Sequence, residues 1–159
     1  MKNAIVTGAS NGIGLEISKK LSENNYFVGM IDIDKENLLK ESENINNSVA
    51  IEGDVTNEDS IKHALDTFNK TPDLIVNNAG IVIFGGLEEQ SIEDFKKSVN
   101  VSLIGSYLVS RLAIDSMIKK GSGCIINMSS INGVHPGPGT GGYPPAKAGI
   151  VSLTQQMSI

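Results

Sequence analysis

A tyrosine and a lysine four residues apart, Tyr143 and Lys147, are the pair in this sequence best suited to proton transfer. Residues at i and i+4 lie on one face of an α-helix, so the ammonium group can sit beside the phenol. A free phenol ionises only near pH 10, and a nearby cation stabilises the phenolate and brings its ionisation closer to neutral pH. The pair is therefore a candidate general acid and base, although the same spacing also occurs by chance on exposed helix faces.

A glycine-rich turn near the N-terminus indicates a site for phosphate groups. The segment from Thr7 to Gly14 follows an apolar run and leads directly into a helical pattern. Glycines allow a sharp turn and close approach to a pyrophosphate, while the helix N-terminus offers free N–H groups and a positive dipole end. The spacing is G-x-x-x-G-x-G, not the general G-x-G-x-x-G fingerprint, and a plain strand–helix connection is the other interpretation. We expect dinucleotide contacts from Gly8, Ser10, Asn11, Gly12, Ile13 and Gly14.

An acidic residue at the end of the second predicted strand, Asp32, favours NAD over NADP. It lies about as far beyond the glycine turn as the carboxylate that binds the ribose hydroxyls in dinucleotide-binding folds. A carboxylate there repels a 2′-phosphate, and positions 10, 11 and 33 hold no Arg or Lys that could stabilise one. The predicted cofactor is therefore NAD, with NADP second. The other interpretation is an Asp that only flanks a helix.

Short apolar runs alternate with stretches of helical periodicity, a rhythm typical of βαβ units and a parallel sheet. The predicted strands cover about residues 3–7, 27–32, 48–53, 73–77 and 123–129. The predicted helices cover about residues 12–25, 35–45, 57–69 and 91–120, and a last helix begins near Pro144 and still runs at Ile159. We predict an α/β fold with one domain over residues 1–159, a Rossmann-type doubly wound parallel sheet in strand order 3-2-1-4-5 with helices on both faces.

Two predictions concern which side chains are buried. Ile13, Ile17 and Leu21 recur at helical spacing, so we expect them to share the buried face of the first helix. Cys124, the single cysteine, lies in an apolar run and cannot form an internal disulfide, so we expect a small buried hydrophobe.

Composition narrows the class of protein further. The hydrophobic fraction of 40% and charged fraction of 19% are ordinary for a soluble globular protein. A net charge of −5 and a single arginine, Arg111, argue against nucleic-acid binding. His63 and His135 lie far apart, with no cysteine or carboxylate at ligand spacing, so no metal site is expected. No apolar run approaches the roughly 18 residues of a membrane span and no signal peptide is apparent, so we expect a cytoplasmic protein without membrane contact.

Several motifs occur together in an order that resembles the short-chain dehydrogenase/reductase family. They are the glycine turn, Asn77-Asn78-Ala79-Gly80 after the fourth strand, Ser129-Ser130 after the fifth, and Tyr143-x-x-x-Lys147. The resemblance spans nearly the whole chain and implies hydride transfer between a nicotinamide cofactor and an alcohol or carbonyl compound. The sequence departs from the family at Pro144-Pro145, where small residues other than proline are more common. Because a residue before proline is biased away from helix, Tyr143 should lie at the N-cap or just inside the last helix.

The resemblance also implies a role for each site residue. Tyr143 is the acid and base, Lys147 tunes the phenol and holds the nicotinamide ribose, and Ser130 holds the substrate oxygen, with Ser129 as the alternative. Asn100, inside the long helix, holds a water behind Lys147, and a buried amide without a chemical role is the other interpretation. Asp54 borders the adenine, unless it is only a turn residue before the next helix. The remaining implied cofactor contacts are Val55, Asn78, Ala79 and Gly80.

The function predicted from these residues is reversible oxidoreduction of an alcohol or carbonyl compound with NAD. One alternative is an NADP-dependent carbonyl reductase, such as one acting on 3-oxoacyl thioesters. A second is a dinucleotide-binding fragment without catalytic activity. The substrate itself is not specified, since the loop from Asn132 to Gly139 that should line its pocket is mostly Gly and Pro, and His135 either touches substrate or faces solvent.

The resemblance implies two further expectations. The family's usual chain is longer, so we expect the domain to be incomplete at its C-terminus, with at least a sixth strand covering the apolar strand at Cys124 to Met128. The helix over Ser91 to Lys120 carries apolar residues too widely spread for one buried stripe. Since the family pairs this helix across a two-fold interface, we expect a homodimer or homotetramer.

Overall fold

Near-continuous runs of Ile, Val and Ala form a central sheet, because parallel strands are buried on both faces. The computed structural model describes all residues from Met1 to Ile159. Its strands are β1 Lys2–Thr7, β2 Tyr26–Asp32, β3 Ser48–Glu52, β4 Leu74–Asn77 and β5 Cys124–Asn127. All neighbouring pairs are parallel and the order is β3-β2-β1-β4-β5. The predicted Rossmann-type sheet and its strand order are confirmed.

Six α-helices flank the sheet where the periodicity predicts five, and the predicted ends shift by up to three residues. They are α1 Gly12–Glu23, α2 Lys35–Ser42, α3 Glu58–Phe68, α4 Ile92–Val99, α5 Gly105–Lys120 and α6 Tyr143–Met157. The predicted helix over residues 91–120 is continuous in space but contains a π-helical segment, Asn100–Ile104, between α4 and α5. The last helix ends at Met157, not at Ile159. A short 3-10 turn, Ile131–Gly133, follows β5.

The sheet carries a hydrophobic core on each face. Successive strand residues point to opposite faces, so Ile5 and Ile75 belong to one core and Val6 and Val76 to the other. The first core is closed by α3 and α5, and the second by α1 and α2. The carboxyl ends of the strands are left free to carry functional groups.

The helical stretch Ile92–Lys120 is long and apolar enough, by length and composition alone, to cross a membrane. The sequence prediction missed this because it looked for an uninterrupted apolar run. In this structure Val109, Ala113 and Met117 of α5 pack into the core against the sheet. This packing accounts for the apolar residues on that side of the helix, since the core helix of a globular domain needs an apolar stripe.

Two of the burial predictions are wrong. Ile13 is 63% exposed, because α1 docks through Gly14, Leu15 and Ser18 and its first turn extends over the sheet edge. Cys124 is exposed, because β5 is the outer strand of this sheet and the face that carries Cys124 is uncovered.

Candidate active site

A cleft of about 680 Å³ opens at the carboxyl ends of the strands, where dinucleotide-binding sheets hold their ligands. It brings together predicted cofactor contacts from five separate segments, which are Gly8, Asn11, Ile13, Asp32, Asp54, Val55, Asn78, Ala79, Gly80, Tyr143 and Lys147. The predicted contacts Ser10, Gly12 and Gly14 do not line the cleft. The predicted catalytic residues Asn100 and Ser130 do not line it either.

The glycine turn is shaped by close backbone contacts with the end of β4. Gly8 has φ +65°, and a Cβ built there would lie 2.9 Å from the Ala79 Cα. A Cβ on Gly14 would lie 2.8 Å from the carbonyl carbon of Gly8, so α1 can pack this close only with glycine at position 14. Gly14 therefore shapes the turn from behind, which explains why it does not face the cleft.

Asn78 and Thr7 fasten the turn to β4. The Asn78 Nδ2 donates to the carbonyls of Thr7 and Gly8, at 3.0 and 3.1 Å. In return, the Thr7 hydroxyl oxygen accepts the N–H groups of Asn78 and Ala79, both at 3.1 Å. These four bonds hold two predicted cofactor-binding segments in fixed register.

The N-terminus of α1 differs from those of α2, α3 and α4 in how it is capped. The side chains of Asp34, Asn57 and Ser91 cap the other three helices, each by accepting a backbone N–H. Asn11 makes no capping bond in α1, and its Nδ2 donates to the Ser10 hydroxyl instead, at 3.1 Å. The first-turn N–H groups of α1 therefore remain available to an anion, as a pyrophosphate cradle requires.

Asp32 lies beside the glycine turn at the end of β2. Its carboxylate accepts the Ser10 N–H and the Asp34 N–H, both at 3.0 Å. Ser10 itself is fully buried, and its carbonyl accepts a bond from the Asn37 Nδ2 at 2.6 Å. Because Ser10 is held from both sides beneath the turn, it supports the cradle and does not face the cleft. Each Asp32 oxygen keeps a lone pair for further hydrogen bonds.

Asp54 lines the cleft and also forms a turn before α3. Its Oδ1 accepts the Thr56 N–H at 2.8 Å and the Thr56 hydroxyl at 2.7 Å. The turn interpretation raised by the sequence is therefore part of its role, and its other oxygen has no recorded partner. Val55 packs under the start of α5, where a Cβ on Gly105 would lie 2.8 Å from a Val55 methyl carbon.

Tyr143 and Lys147 face each other at the start of α6. The Lys147 Nζ lies 5.5 Å from the centroid of the Tyr143 ring and donates to the Met128 carbonyl at 2.5 Å. The lysine is 4% exposed, and this burial lowers the pKa of Lys147 below its ordinary value. None of the recorded ion pairs gives Lys147 a carboxylate partner, so the cation is available to stabilise a phenolate.

Tyr143 is the first residue of α6, in agreement with the position that Pro144-Pro145 predict. The two prolines occupy the first turn, where a missing N–H breaks no intrahelical bond. The Tyr143 N–H donates to the Thr140 carbonyl at 3.1 Å. The prolines are thus accommodated without separating the tyrosine from Lys147.

The two serines after β5 are used differently. Ser129 lines the cleft, but its hydroxyl donates its proton to the Lys147 carbonyl at 2.9 Å. Ser130 accepts the Asn132 N–H at 3.2 Å and keeps its own proton for another acceptor. Both serines lie close to the lysine helix, and only Ser130 has a free hydroxyl proton.

The structure contradicts the expectation that Asn100 lies on the buried face of the long helix. Asn100 is exposed, makes no recorded side-chain hydrogen bond and does not line the cleft. It begins the π-helical segment, whose i→i+5 bonds rotate the following residues relative to a regular α-helix. The 3.6-residue period used for the prediction does not hold across such a segment.

Ser102 is a candidate that the sequence prediction missed. It is fully buried, and its hydroxyl has no hydrogen-bond partner, although buried polar groups are nearly always paired. A Cβ built on Gly80 would lie 3.2 Å from the Ser102 Oγ and 3.4 Å from the Lys147 Nζ, so both groups border the same space. A usable signal was the repeat of serine every four residues at 98, 102, 106 and 110.

Ser102 differs from the other three serines of this repeat. Ser98, Ser106 and Ser110 are buried too, and each donates to the carbonyl four residues earlier. Ser102 lies inside the π-helical segment and makes no such bond. Its hydroxyl is therefore free to form a hydrogen bond in the space next to Gly80.

Other cleft residues were also missed, and most are apolar. They are Ile31, Ile33, Gly53, Ile81, Val82, Ile83, Lys97, Val101 and Met128. The run from Ile81 to Ile83 forms an apolar wall, and an apolar run directly after the Asn-Asn-Ala-Gly turn was its signal in the sequence.

Comparison with known proteins places these features in a family. The family model described as short chain dehydrogenase matches residues 2–159. An uncharacterized oxidoreductase of Thermotoga maritima is 35% identical over 99% of this chain and 65% of its own length. A 3-oxoacyl-(acyl-carrier-protein) reductase of Chlamydia trachomatis is 37% identical over 99% of this chain and 66% of its own length. Glucose 1-dehydrogenase 2 of Bacillus subtilis is 33% identical, over 99% and 65% respectively.

The chain spans about 65% of the length of the curated relatives it matches. The match nevertheless covers the five-stranded sheet, the glycine turn and the Tyr143–Lys147 pair. The chain therefore belongs to the short-chain dehydrogenase family of oxidoreductases.

Proposed function

We propose that this protein is an NAD-dependent oxidoreductase that interconverts a small-molecule alcohol and its carbonyl compound. The observation that carries the proposal is the buried Lys147 ammonium beside the Tyr143 ring, in the same cleft as the glycine turn. A nicotinamide cofactor, when bound, supplies or accepts the hydride. The protein must then hold the cofactor, orient the substrate and move one proton at the substrate oxygen.

The residues of the cleft fit a dinucleotide. The close approach at Gly8 and the uncapped first turn of α1 suit a pyrophosphate, and the free lone pairs of Asp32 suit ribose hydroxyls. The same carboxylate would repel a 2′-phosphate, which favours NAD over NADP. The cations that line the cleft, Lys97 and Lys147, lie on α4 and α6 and not at the end of β2.

In this proposal Tyr143 transfers the proton to and from the substrate oxygen. The Lys147 cation stabilises the phenolate, which can take a proton from an alcohol, and the phenol so formed can return that proton to a carbonyl oxygen in the reverse reaction. Ser130, whose hydroxyl proton is free, donates a hydrogen bond to the substrate oxygen and fixes its direction. We assign to Ser102, and not to Asn100, the role of holding a water against the Lys147 Nζ.

Two other functions are alternatives to this proposal. An NADP-dependent carbonyl reductase is one, because a similar protein of Chlamydia trachomatis is named a 3-oxoacyl-(acyl-carrier-protein) reductase. A dinucleotide-binding protein without turnover is the other, because the chain covers only part of the length of its relatives. All three share the cleft. The first two differ in which cofactor binds, and the third differs in having no turnover after the cofactor binds.

We also propose that the protein assembles as a homodimer or homotetramer through α4 and α5. Phe95, Ile104, Tyr107 and Ile118 of this helical stretch are between 42% and 68% exposed. Exposed apolar side chains that recur along one helical stretch suit an interface with another subunit. Light scattering tests this proposal. A monodisperse monomer would contradict it.

One experiment separates the three functions. NADH and NADPH are titrated into the protein and binding is followed by nicotinamide fluorescence. Oxidation of the bound cofactor is then tested with a panel of ketones, aldoses and 3-oxoacyl thioesters. We expect tighter binding of NADH than of NADPH, and turnover with at least one carbonyl compound. Preference for NADPH would support the reductase, and NADH binding without any turnover would support the noncatalytic alternative.

A further inference from the structure

The side chain of Gln90 lies between two loops beside the cleft, one containing Ile83 and Gly85 and the other Gly141 and Gly142. Gly85 and Gly141 flank it, with φ +142° and +50°, a backbone conformation that side chains other than glycine rarely adopt. A Cβ on Gly85 would lie 3.2 Å from the Gln90 Cβ, and a Cβ on Gly141 would overlap the Gln90 amide group. The two loops therefore form a slot that a residue of this size fills.

The amide of Gln90 uses both its donor and its acceptor, one on each loop. Its Nε2 donates to the Ile83 carbonyl at 2.9 Å, and its Oε1 accepts the Gly142 N–H at 2.8 Å. A further backbone bond, from the Gly85 N–H to the Gly139 carbonyl at 2.9 Å, joins the same loops. No ionised or apolar side chain of similar size could satisfy both partners of Gln90.

These contacts act directly on the position of Tyr143. Gly142 immediately precedes the tyrosine, and the two prolines that follow have no N–H with which to anchor the first turn of α6. Gly142 also packs against α4, where a Cβ on it would lie 2.8 Å from the Phe95 carbonyl oxygen. The start of α6 is thus held by Gln90 and α4, together with the bond from the Tyr143 N–H to the Thr140 carbonyl.

We propose that Gln90 is a positioning residue that fixes Tyr143 relative to the apolar wall at Ile83. One amide group ties the residue before the phenol to Ile83, which lines the cleft. It thereby sets the distance between the proton donor and any substrate packed on that wall. The inference rests on the proposed role of Tyr143 and adds a residue that does not touch the reacting atoms.

Two variants test the amide separately from its shape and charge. Gln90→Glu keeps the size and the acceptor but loses the donor to Ile83, and Gln90→Met keeps the approximate size while losing both polar atoms. Gln156→Glu is the matched control, because it adds the same charge to an exposed position on α6. Thermal unfolding of all three shows how much each substitution destabilises the fold.

The first readout needs no substrate. The protein has three tyrosines and no tryptophan, so the tyrosinate absorbance of Tyr143 is the difference between each protein and its Tyr143→Phe counterpart. We expect both Gln90 variants to change that titration relative to the parent, since the distance between phenol and cation changes. Gln156→Glu should leave it in place.

The second readout is kinetic and uses the best carbonyl compound of the panel with NADH. We expect kcat/KM to fall about 10- to 100-fold in both Gln90 variants, as misplacement of a reacting group predicts, with NADH affinity within about twofold of the parent. If both variants match Gln156→Glu in titration and rate while Tyr143→Phe abolishes turnover, Gln90 only stabilises the loops and the inference is wrong. If Tyr143→Phe itself retains turnover, the proposed function fails first. If the protein turns over no compound, the titration alone decides.

Discussion

Lys147 and Tyr143 form a close pair in which the lysine Nζ lies 5.5 Å from the centroid of the tyrosine ring. The same Nζ is anchored on the Met128 carbonyl at the end of β5, so the pair joins α6 to the outer strand of the sheet. A buried cation with one carbonyl as its recorded partner is costly to the fold, which argues for a chemical use.

Replacement of Lys147 by Met should separate that use from packing. Without the cation, the tyrosinate absorbance of Tyr143 should appear at higher pH than in the parent, and NADH should bind more weakly. The measurement is the absorbance difference against Tyr143→Phe in each background. Lys20→Met, which removes an exposed lysine of α1, is the control and should change neither property.

Lys147 should also make the free energy of unfolding depend on pH. Burial lowers the pKa of Lys147, so between that lowered pKa and the ordinary value of 10.5 the folded protein binds fewer protons than the unfolded chain. The free energy of unfolding therefore rises with pH in this window. The parent should gain stability relative to Lys147→Met as pH increases from neutral toward 10.5, in urea unfolding at several pH values. A parent that gains no stability relative to Lys147→Met as pH rises, or loses some, would show that the lysine is not desolvated.

Ser102→Ala should lower kcat and Asn100→Ala should not, which is the reverse of what the sequence prediction implies. Removal of an unpartnered buried hydroxyl should leave stability unchanged or raise it. If Ser102 holds a water against Lys147, its loss should still lower kcat on the order of tenfold. A tenfold loss corresponds to ~1.4 kcal/mol of activation free energy. Asn100→Ala, at an exposed position, should be close to the parent. A large loss in Asn100→Ala with none in Ser102→Ala would reverse our assignment.

Asp32→Ala should weaken the preference for NADH over NADPH. Each lost hydrogen bond to the carboxylate accounts for at most about 1.5–3 kcal/mol, and the repulsion of a 2′-phosphate also disappears. Part of the effect is structural, because the carboxylate also accepts the Ser10 N–H. Asp66→Ala, an exposed position on α3, controls for net charge. If the parent already binds NADPH more tightly, the cofactor assignment is wrong.

Asp73 should stabilise the protein only above acidic pH. The bond from Lys120, followed by the Asn3 N–H, lowers the pKa of the Asp73 carboxyl, and these contacts join β1 to the end of α5. A lowered pKa means that stabilisation is present above the unfolded value and lost as pH falls through the folded value. Asp73→Asn should cost about 1 kcal/mol at pH 7, and the difference from the parent should shrink below about pH 4 in urea unfolding. A pH-independent difference would contradict the ion pair.

The sequence predicted the sheet order and nearly all helices, because hydrophobic periodicity and turn residues act locally. It also identified the glycine turn, Asp32 and the Tyr143–Lys147 pair, since each depends on short spacing. It placed Asn100 on the buried face of the long helix, because the sequence carries no local signal for a π-helical segment. The bond between Gln90 and Gly142 links residues 52 positions apart and has no local signal. The predicted burial of Cys124 was wrong for a similar reason, because tertiary structure decides whether an outer strand is exposed.

The turnover of Tyr143→Phe tests the central claim most directly, because the substitution removes one oxygen and keeps the ring beside Lys147. We predict that the variant retains the parent's thermal stability and NADH affinity. With the best carbonyl compound of the panel, kcat should fall by about 10²- to 10⁴-fold, the usual contribution of general acid–base catalysis. A Tyr143→Phe protein that reduces the same compound at nearly the parental rate would contradict the account.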